Sequence, residues 1–371
     1  MRDVKKLIIH PGFHKTGTTA LQQALSASRP QLAEVNFNYP HTAGIAHHRA
    51  AWAIIEKTWG WKKRGGRTTK PIEWLKLEQK INGSNKTAII SSEFFSEAAP
   101  EQLRNLKSRI AKTDAQIIFT WRPLPFMLAS SYQQYLKYGI KASYEEWLHS
   151  IFDNPGESKL TPSFWKRNLH GDVISEWCST FGKQNVSLIA VEEANPDYLF
   201  ESFSTLANIP SGIIKESRSK EVNRSLTFNE AALLLEINRN YPQEDDWDSY
   251  EIFIRKGYIK ALTSWETTNP DDEKFMTPDW AIKKAIEINT ENVSKIKSLG
   301  IRIVGDINRR DFSQIPVGTN TPVTTISIAT AARAMIGVDM RSLKSMHGKA
   351  ISKEYFLRLR QIIKRKLRFP R

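Results

Sequence analysis

The chain has 371 residues, 40% of them hydrophobic and 10% aromatic, so it can bury a sizeable core as one large domain with appendages or as two domains. The single cysteine, Cys178, excludes an intrachain disulfide framework and fits a reducing compartment, and no apolar run of about 18 residues is present to span a bilayer. The net charge of +15 is uneven: from 341 to 371 eleven Lys or Arg stand against one acid, Glu354, so this tail carries +10 and the rest of the chain only +5, which points to a local contact by the tail and argues against a nucleic-acid-binding body.

Residues 1–6 lead directly into the apolar run 7–10 (LIIH), so the start reads as a first strand and not as a signal peptide. A glycine turn follows, then Ala20, Leu21, Ala24 and Leu25 at helical spacing. A strand-to-helix turn of this kind aims backbone N–H groups and the positive end of a helix at one point, which suits an oxyanion. Gly12 and Gly17 have the spacing of a Walker loop, but Thr18 stands where its lysine belongs, and the one lysine, Lys15, lies inside the loop. A Walker lysine reaches the β and γ phosphates of a nucleoside triphosphate. A lysine earlier in the loop would sit over the first phosphoryl group and the atom attached to it.

Further strands are expected at 35–39, 87–91, 116–121, 186–191 and 301–304. Helical stripes lie between them: Trp74, Leu77 and Ile81 before Gly83, and Trp165, Leu169, Val173, Trp177 and Phe181 before Gly182. This alternation predicts an α/β fold, a P-loop-like parallel sheet with helices on both faces, and ligands beyond the carboxyl ends of its strands. After the strand 116–121 come Arg122 and two prolines, Pro123 and Pro125, placed to open a helix that carries Ser130 and ends before Gly139. Residues 226–298 read as mainly helical, 311–325 as a Pro, Thr, Gly and Asn-rich linker, and 326–371 as a basic helical extension. Within the extension Phe356, Leu359, Ile363 and Leu367 recur at helical spacing among basic residues. Such a helix can lie on an anionic membrane, dock on a protein partner, or pack on its own domain with a solvated basic face.

The sequence HKTGTT after a strand, with Arg122 at a later strand end and Ser130 eight residues on, resembles the sulfotransferases that use 3′-phosphoadenosine 5′-phosphosulfate, PAPS. The likeness runs from residue 7 to about 138 and more loosely through 186–191, and implies a sulfotransferase domain over 1–310. It implies that His14, Lys15, Thr16, Gly17, Thr18 and Thr19 hold the 5′-phosphosulfate, that Lys15 neutralises charge growing on the bridging oxygen, and that Arg122 and Ser130 grip the 3′-phosphate. Guanidinium offers phosphate a planar fork and the hydroxyl adds a donor. Thr18 and Thr19 would serve equally as helix caps. No metal is expected, since the lysine manages the leaving-group charge and the sequence lacks the common metal-binding motifs.

The acceptor hydroxyl needs a general base, and Glu93 in ISSEFF, His47 and His48 after the second strand, and His14 in the loop all qualify; His10 reads as a strand-end residue. Imidazole titrates near neutral pH, whereas a carboxylate needs burial to do so. The bland readings stand beside these: a helix-capping acid at Glu93, loop histidines at His47 and His48. In the loop 59–67 two tryptophans alternate with four basic residues, a pattern that can stack on sugars, bind single-stranded nucleic acid, or simply anchor a solvated loop. The glycine-rich C-terminal loop of small-molecule sulfotransferases is not recognisable, which leans the acceptor toward a carbohydrate or glycolipid. The resemblance, with no membrane anchor in view, implies a cytoplasmic bacterial enzyme, with a peripheral place at the inner membrane as an option. The rival readings are an ATP- or GTP-dependent phosphotransferase with a degenerate P-loop, and a non-catalytic membrane-associated scaffold that retains the fold.

Overall fold

A computed structural model of the chain describes residues 5–56, 68–154, 158–192, 194–217, 224–241, 247–264 and 274–338, with a few positions beyond. The Trp-rich loop 59–67 and most of the basic tail, including Ile363 and Leu367, lie outside the described residues. Strands β1 (Lys5–His10), β2 (Phe37–Asn38), β3 (Thr87–Ser91), β4 (Thr113–Trp121), β5 (Val186–Ala190) and β6 (Arg302–Val304) form one parallel sheet in the order β2-β3-β1-β4-β5-β6. Each falls on an expected run. β2 is shorter than the expected 35–39, because Asn36 at φ 69° leaves the extended region just before it.

Alternation along the strands divides the core between two faces. Leu7, Ile9, Ile117, Phe119, Trp121 and Leu188 pack against the helices Pro100–Arg109 and His170–Phe181. Ile8, Ile89, Ile118 and Ile189 face the helices Thr18–Ala27 and Tyr198–Ala207. The chain moves from β1 to one side for β2 and β3 and to the other for β4, so the carboxyl end of β1 is a topological switch point, where ligands bind in open α/β sheets.

The single helical stripe expected from Trp165 to Phe181 is two helices, Phe164–Asn168 and His170–Phe181, broken at Leu169 (φ −82°, ψ 67°). Side chains drive the break: the Asn168 amide donates to the Phe164 carbonyl, and the Gly171 N–H donates to Asn292 Oδ1 on another helix. A third core cluster lies among the helices Leu128–Leu136, Tyr144–Phe152 and Phe228–Asn240, with Trp147, Tyr132 and Leu234 inside it. The helix Asp279–Ser298 belongs to both bodies, Ala281 and Ala285 to this cluster and Ile296 to the sheet cluster. It therefore ties the 226–298 region to the sheet. The expected linker 311–325 is pinned as well: the Thr277 N–H donates to the Pro316 carbonyl, the Gly318 N–H donates to the Thr277 carbonyl, and Phe312 packs on Phe126. Among the described residues no helix is long and apolar enough to cross a membrane.

Candidate active site

The turn after β1 is shaped by three residues with positive φ, Gly12 (56°), Lys15 (65°) and Gly17 (83°). A Cβ on Gly12 would stand 2.6 Å from Thr18 Cγ2, so only glycine closes the turn there. Lys15 holds a left-handed conformation that a side chain adopts at a cost of about 1–2 kcal/mol, which the surrounding loop must offset. Part of the offset is Thr16, whose hydroxyl donates to the Phe13 carbonyl at 2.7 Å and meets Thr120 Oγ1 at 2.6 Å, stapling the loop to β4. The Thr16 hydroxyl is thus committed inward, and what this residue can offer a ligand is its backbone N–H. The first helical bond runs from the Leu21 N–H to the Gly17 carbonyl, leaving the N–H groups of Thr18, Thr19 and Ala20 without intrahelical acceptors at the positive end of the helix.

Lys15 Nζ donates to Gln134 Oε1 at 3.1 Å. Burial lowers its pKa, the nearby Glu93 carboxylate opposes that, and the Arg122 guanidinium adds to it. Arg122 stands just past β4 with its guanidinium 5.4 Å from the centre of the Phe126 ring, and Arg309 lies 4.5 Å from the same ring. Ser130, on the helix Leu128–Leu136, donates to the Met127 carbonyl at 3.1 Å and lines the same cavity as Lys15.

Four of the eight histidines, His10, His14, His47 and His48, separate by environment. His10 is fully buried between Ser91 Oγ (2.8 Å) and Thr120 Oγ1 (3.4 Å), and burial lowers its pKa to about 4. His47 is buried too, with Nε2 donating to the Pro40 carbonyl at 2.9 Å and Nδ1 accepting the Ser91 N–H at 3.0 Å; burial lowers its pKa to about 4. Both ring nitrogens of His47 are spent on the backbone, which removes it from the candidate bases. His48 differs in lining the cavity, with Nδ1 at 2.8 Å from Ser92 Oγ and 3.7 Å from Glu93 Oε2. Burial pushes the Glu93 carboxyl up, but His48, His14, a backbone hydrogen bond and the Gln22 amide at 3.1 Å outweigh it and hold it below its ordinary value. An ionised Glu93 beside Nδ1 favours the tautomer that carries its proton there, which leaves Nε2 as the basic nitrogen.

His14 lies against a second carboxylate, Glu97, at 3.0 Å, and Arg167 Nε reaches the same oxygen at 2.9 Å. Burial alone would raise Glu97, yet Arg167 and His14 bring it down to about 2. His14 is itself lowered, first by burial and then by Arg167. Neither Glu97 nor Arg167 is visible as a partner of His14 in the sequence, since each lies more than eighty residues from it.

His14, Lys15, His48, Glu93, Glu97, Ser130 and Arg167 open on one cavity of about 1140 Å³ at the carboxyl edge of the sheet, lined also by Trp52, Phe94, Gln134, Lys137, Lys166 and Arg224, whereas His10, His47 and Arg122 are not among its lining residues. Arg224, from the segment VNRSL of which Val222 and Asn223 lie outside the described residues, grips Glu230 with two bonds of 2.7 Å. Gln134 and Lys137 were reachable in principle from Ser130, since they follow it at i+4 and i+7 on one helical face.

The fold is thus a single parallel α/β sheet with helices on both faces and a phosphate-type turn at its switch point. Among solved structures, a sulfotransferase from Alicyclobacillus acidocaldarius is similar, with a TM-score of 0.42 and 15% identity over 56% of this chain and 82% of that one. A likeness of that strength does not bear on substrates or residue roles. No family model matches the chain, and no curated protein matches it.

Proposed function

We propose that the protein transfers a sulfuryl group from PAPS to a hydroxyl on a saccharide or glycolipid. The observation that carries this reading is Lys15, held in a left-handed turn at the carboxyl end of β1 and facing the cavity that His48, Glu93 and Ser130 share. The loop fits such a donor: the N–H groups from Thr16 to Ala20 would hold the 5′-phosphate, with Gly12 keeping the turn tight. The acceptor oxygen would attack sulfur as the bond from sulfur to the phosphate oxygen breaks. Its proton would pass to His48 Nε2, with Glu93 orienting the ring, and Lys15 would neutralise the charge left on the 3′,5′-ADP leaving group. Arg122 and Ser130 would select the 3′-phosphate. With Lys15 and the loop supplying positive charge, the reading expects no magnesium requirement.

The test is isothermal titration of the purified chain with 3′,5′-ADP, 5′-AMP and ATP, with and without magnesium. Metal-independent binding of 3′,5′-ADP in preference to the other two supports the donor site. Preference for ATP with magnesium would replace the reading with a phosphotransferase, and binding of none would leave the scaffold reading. The basic tail 341–371 is proposed to hold the enzyme peripherally at an anionic, cytoplasmic membrane face, where a glycolipid acceptor would be met. A chain ending before Arg341 should then sediment less with vesicles containing anionic lipid while retaining activity on a water-soluble acceptor; equal sedimentation would sink that idea.

A further inference from the structure

Ser130, Gln134 and Lys137 follow one another at i, i+4 and i+7 and all line the cavity, so they mark a line along one face of the helix Leu128–Leu136 and its C-cap. At about 1.5 Å of rise per residue, Lys137 lies roughly 10 Å from Ser130 along that line. Gln134 stands between them, bonded to Lys15. A donor whose 3′-phosphate lies by Ser130 and whose sulfuryl group lies by Lys15 ends at Gln134. Lys137 is one turn further on, past the transferred group.

The surroundings of Lys137 are unusual for an ammonium. It is half-buried, and the charged groups around it are Lys15, Arg255, Arg224 and Glu230. The one carboxylate in this set, Glu230, is engaged by both terminal nitrogens of Arg224 at 2.7 Å, and Arg255 pairs with Glu251. Among the described residues no carboxylate stands within ion-pair distance of Lys137 Nζ. A cation among cations, partly desolvated and open to a cavity, is stable only at the expense of its own charge, and burial with the flanking Lys15, Arg255 and Arg224 lowers the Lys137 pKa to about 8. What the place lacks is an anion. Lys166 and Arg167 line the same cavity, so the field across it is positive despite Glu93 and Glu97.

We infer that Lys137 receives an anionic group of the acceptor, a carboxylate, sulfate or phosphate ester, and so restricts the reaction to anionic hydroxyl compounds. This rests on the sulfuryl-transfer reading for its account of where the donor ends. An acceptor anchored by its anion at Lys137 would present a hydroxyl toward the Lys15 end of the cavity, whereas a neutral one would leave the cationic cluster unbalanced. Arg224 contributes through the field rather than as a free ligand, since its guanidinium is already forked on Glu230.

The experiment uses the full chain labelled with 13C at lysine Cε, with Lys137→Gln to assign the Lys137 resonance. Titration curves are recorded with 3′,5′-ADP alone, and then with 3′,5′-ADP saturating and glucuronate, glucose 6-phosphate or glucose added. The Lys137 midpoint is expected to rise by about 1–3 pH units with either anionic sugar, as an opposite charge at contact requires, and to stay in place with glucose. A rise with 3′,5′-ADP alone would assign Lys137 to the donor and overturn the proposal. No response to either anionic sugar, or an equal response to glucose, would overturn it as well. The Lys15 resonance reports separately: if it ignores 3′,5′-ADP the donor reading fails, while the response of Lys137 to the sugars is still read.

Discussion

His48 Nδ1 and Glu93 Oε2 stand 3.7 Å apart, with Ser92 Oγ 2.8 Å from the same nitrogen. In the sequence the two residues are alternatives for one role, forty-five positions apart. In the fold they are neighbours, because β3 ends at Ser91 and delivers Ser92 and Glu93 to the start of the helix His48–Ile55. In the proposed reaction the pair would divide the work of a base: a carboxylate kept ionised by its neighbours would fix the ring, and the ring would carry the proton.

Replacing His48 by Ala should therefore lower kcat by about 10²–10⁴-fold, the range of a positioned general base. Glu93→Gln keeps the shape and removes the charge, so it should lower kcat less than His48→Ala while leaving 3′,5′-ADP affinity within about twofold. Steady-state kinetics with titration of 3′,5′-ADP reads both. A full rate in His48→Ala would hand the role to Glu93, and full rates in both variants would remove the pair from the reaction.

Lys15→Ala should lower kcat by about 10²–10³-fold, as loss of a group aimed at developing charge does. Affinity for the product 3′,5′-ADP should fall much less, since the backbone N–H groups of the turn remain. The contrast is the point of the measurement: equal losses in turnover and affinity make Lys15 a binding residue only. Because Lys15 carries positive φ, Lys15→Gly serves as the control in which backbone strain is relieved.

Arg122→Ala should abolish most of the preference for 3′,5′-ADP over 5′-AMP, by about 10–100-fold, the worth of charge-assisted bonds to a phosphate. Competition titrations with the two nucleotides measure it. Unchanged discrimination would take Arg122 out of the 3′-phosphate site and leave it as a cation packed on Phe126.

The sheet was legible because its central strands are short apolar runs buried on both faces, as Ile8 and Ile9 show by packing on opposite sides. The loop was legible because a strand, two spaced glycines and a lysine are all local. What escaped was non-local. His14 gives no sign in the sequence that Glu97 and Arg167 will meet it, nor Lys137 that Arg224 and Arg255 will surround it. The break at Leu169 escaped for the same reason: Gly171 bonds to Asn292, more than a hundred residues on, and that bond overrides a regular apolar stripe. The histidines show the limit most plainly, since His47 and His48 are adjacent in the chain, yet one is sealed against Pro40 and Ser91 and the other faces the cavity.

Stability should fall with acid in two stages. His10 and His47 are buried neutral and their pKa values are lowered from 6.5 to about 4, so the unfolded chain binds protons first. Their contribution is fully present above about pH 6.5 and is lost as pH falls to about 4, on the order of 3 kcal/mol each. Glu97, lowered from 4.5 to about 2 by Arg167 and His14 against the opposing pull of burial, adds a second stage as pH falls from about 4.5 to about 2. Urea unfolding at pH 7, 5.5 and 4.5 should show a steep loss in the wild-type chain and a shallower one in His47→Gln, whose amide keeps a donor for Pro40 without a titrating ring. Glu97→Ala should destabilise the protein at pH 7 by about 1–3 kcal/mol, because it leaves the largely buried Arg167 at the cavity wall without its carboxylate. A flat stability profile from pH 7 to 4.5 would mean that these histidines are not sealed from water, and the exclusion of His47 as a base, which rests on its burial against Pro40 and Ser91, would fall with it.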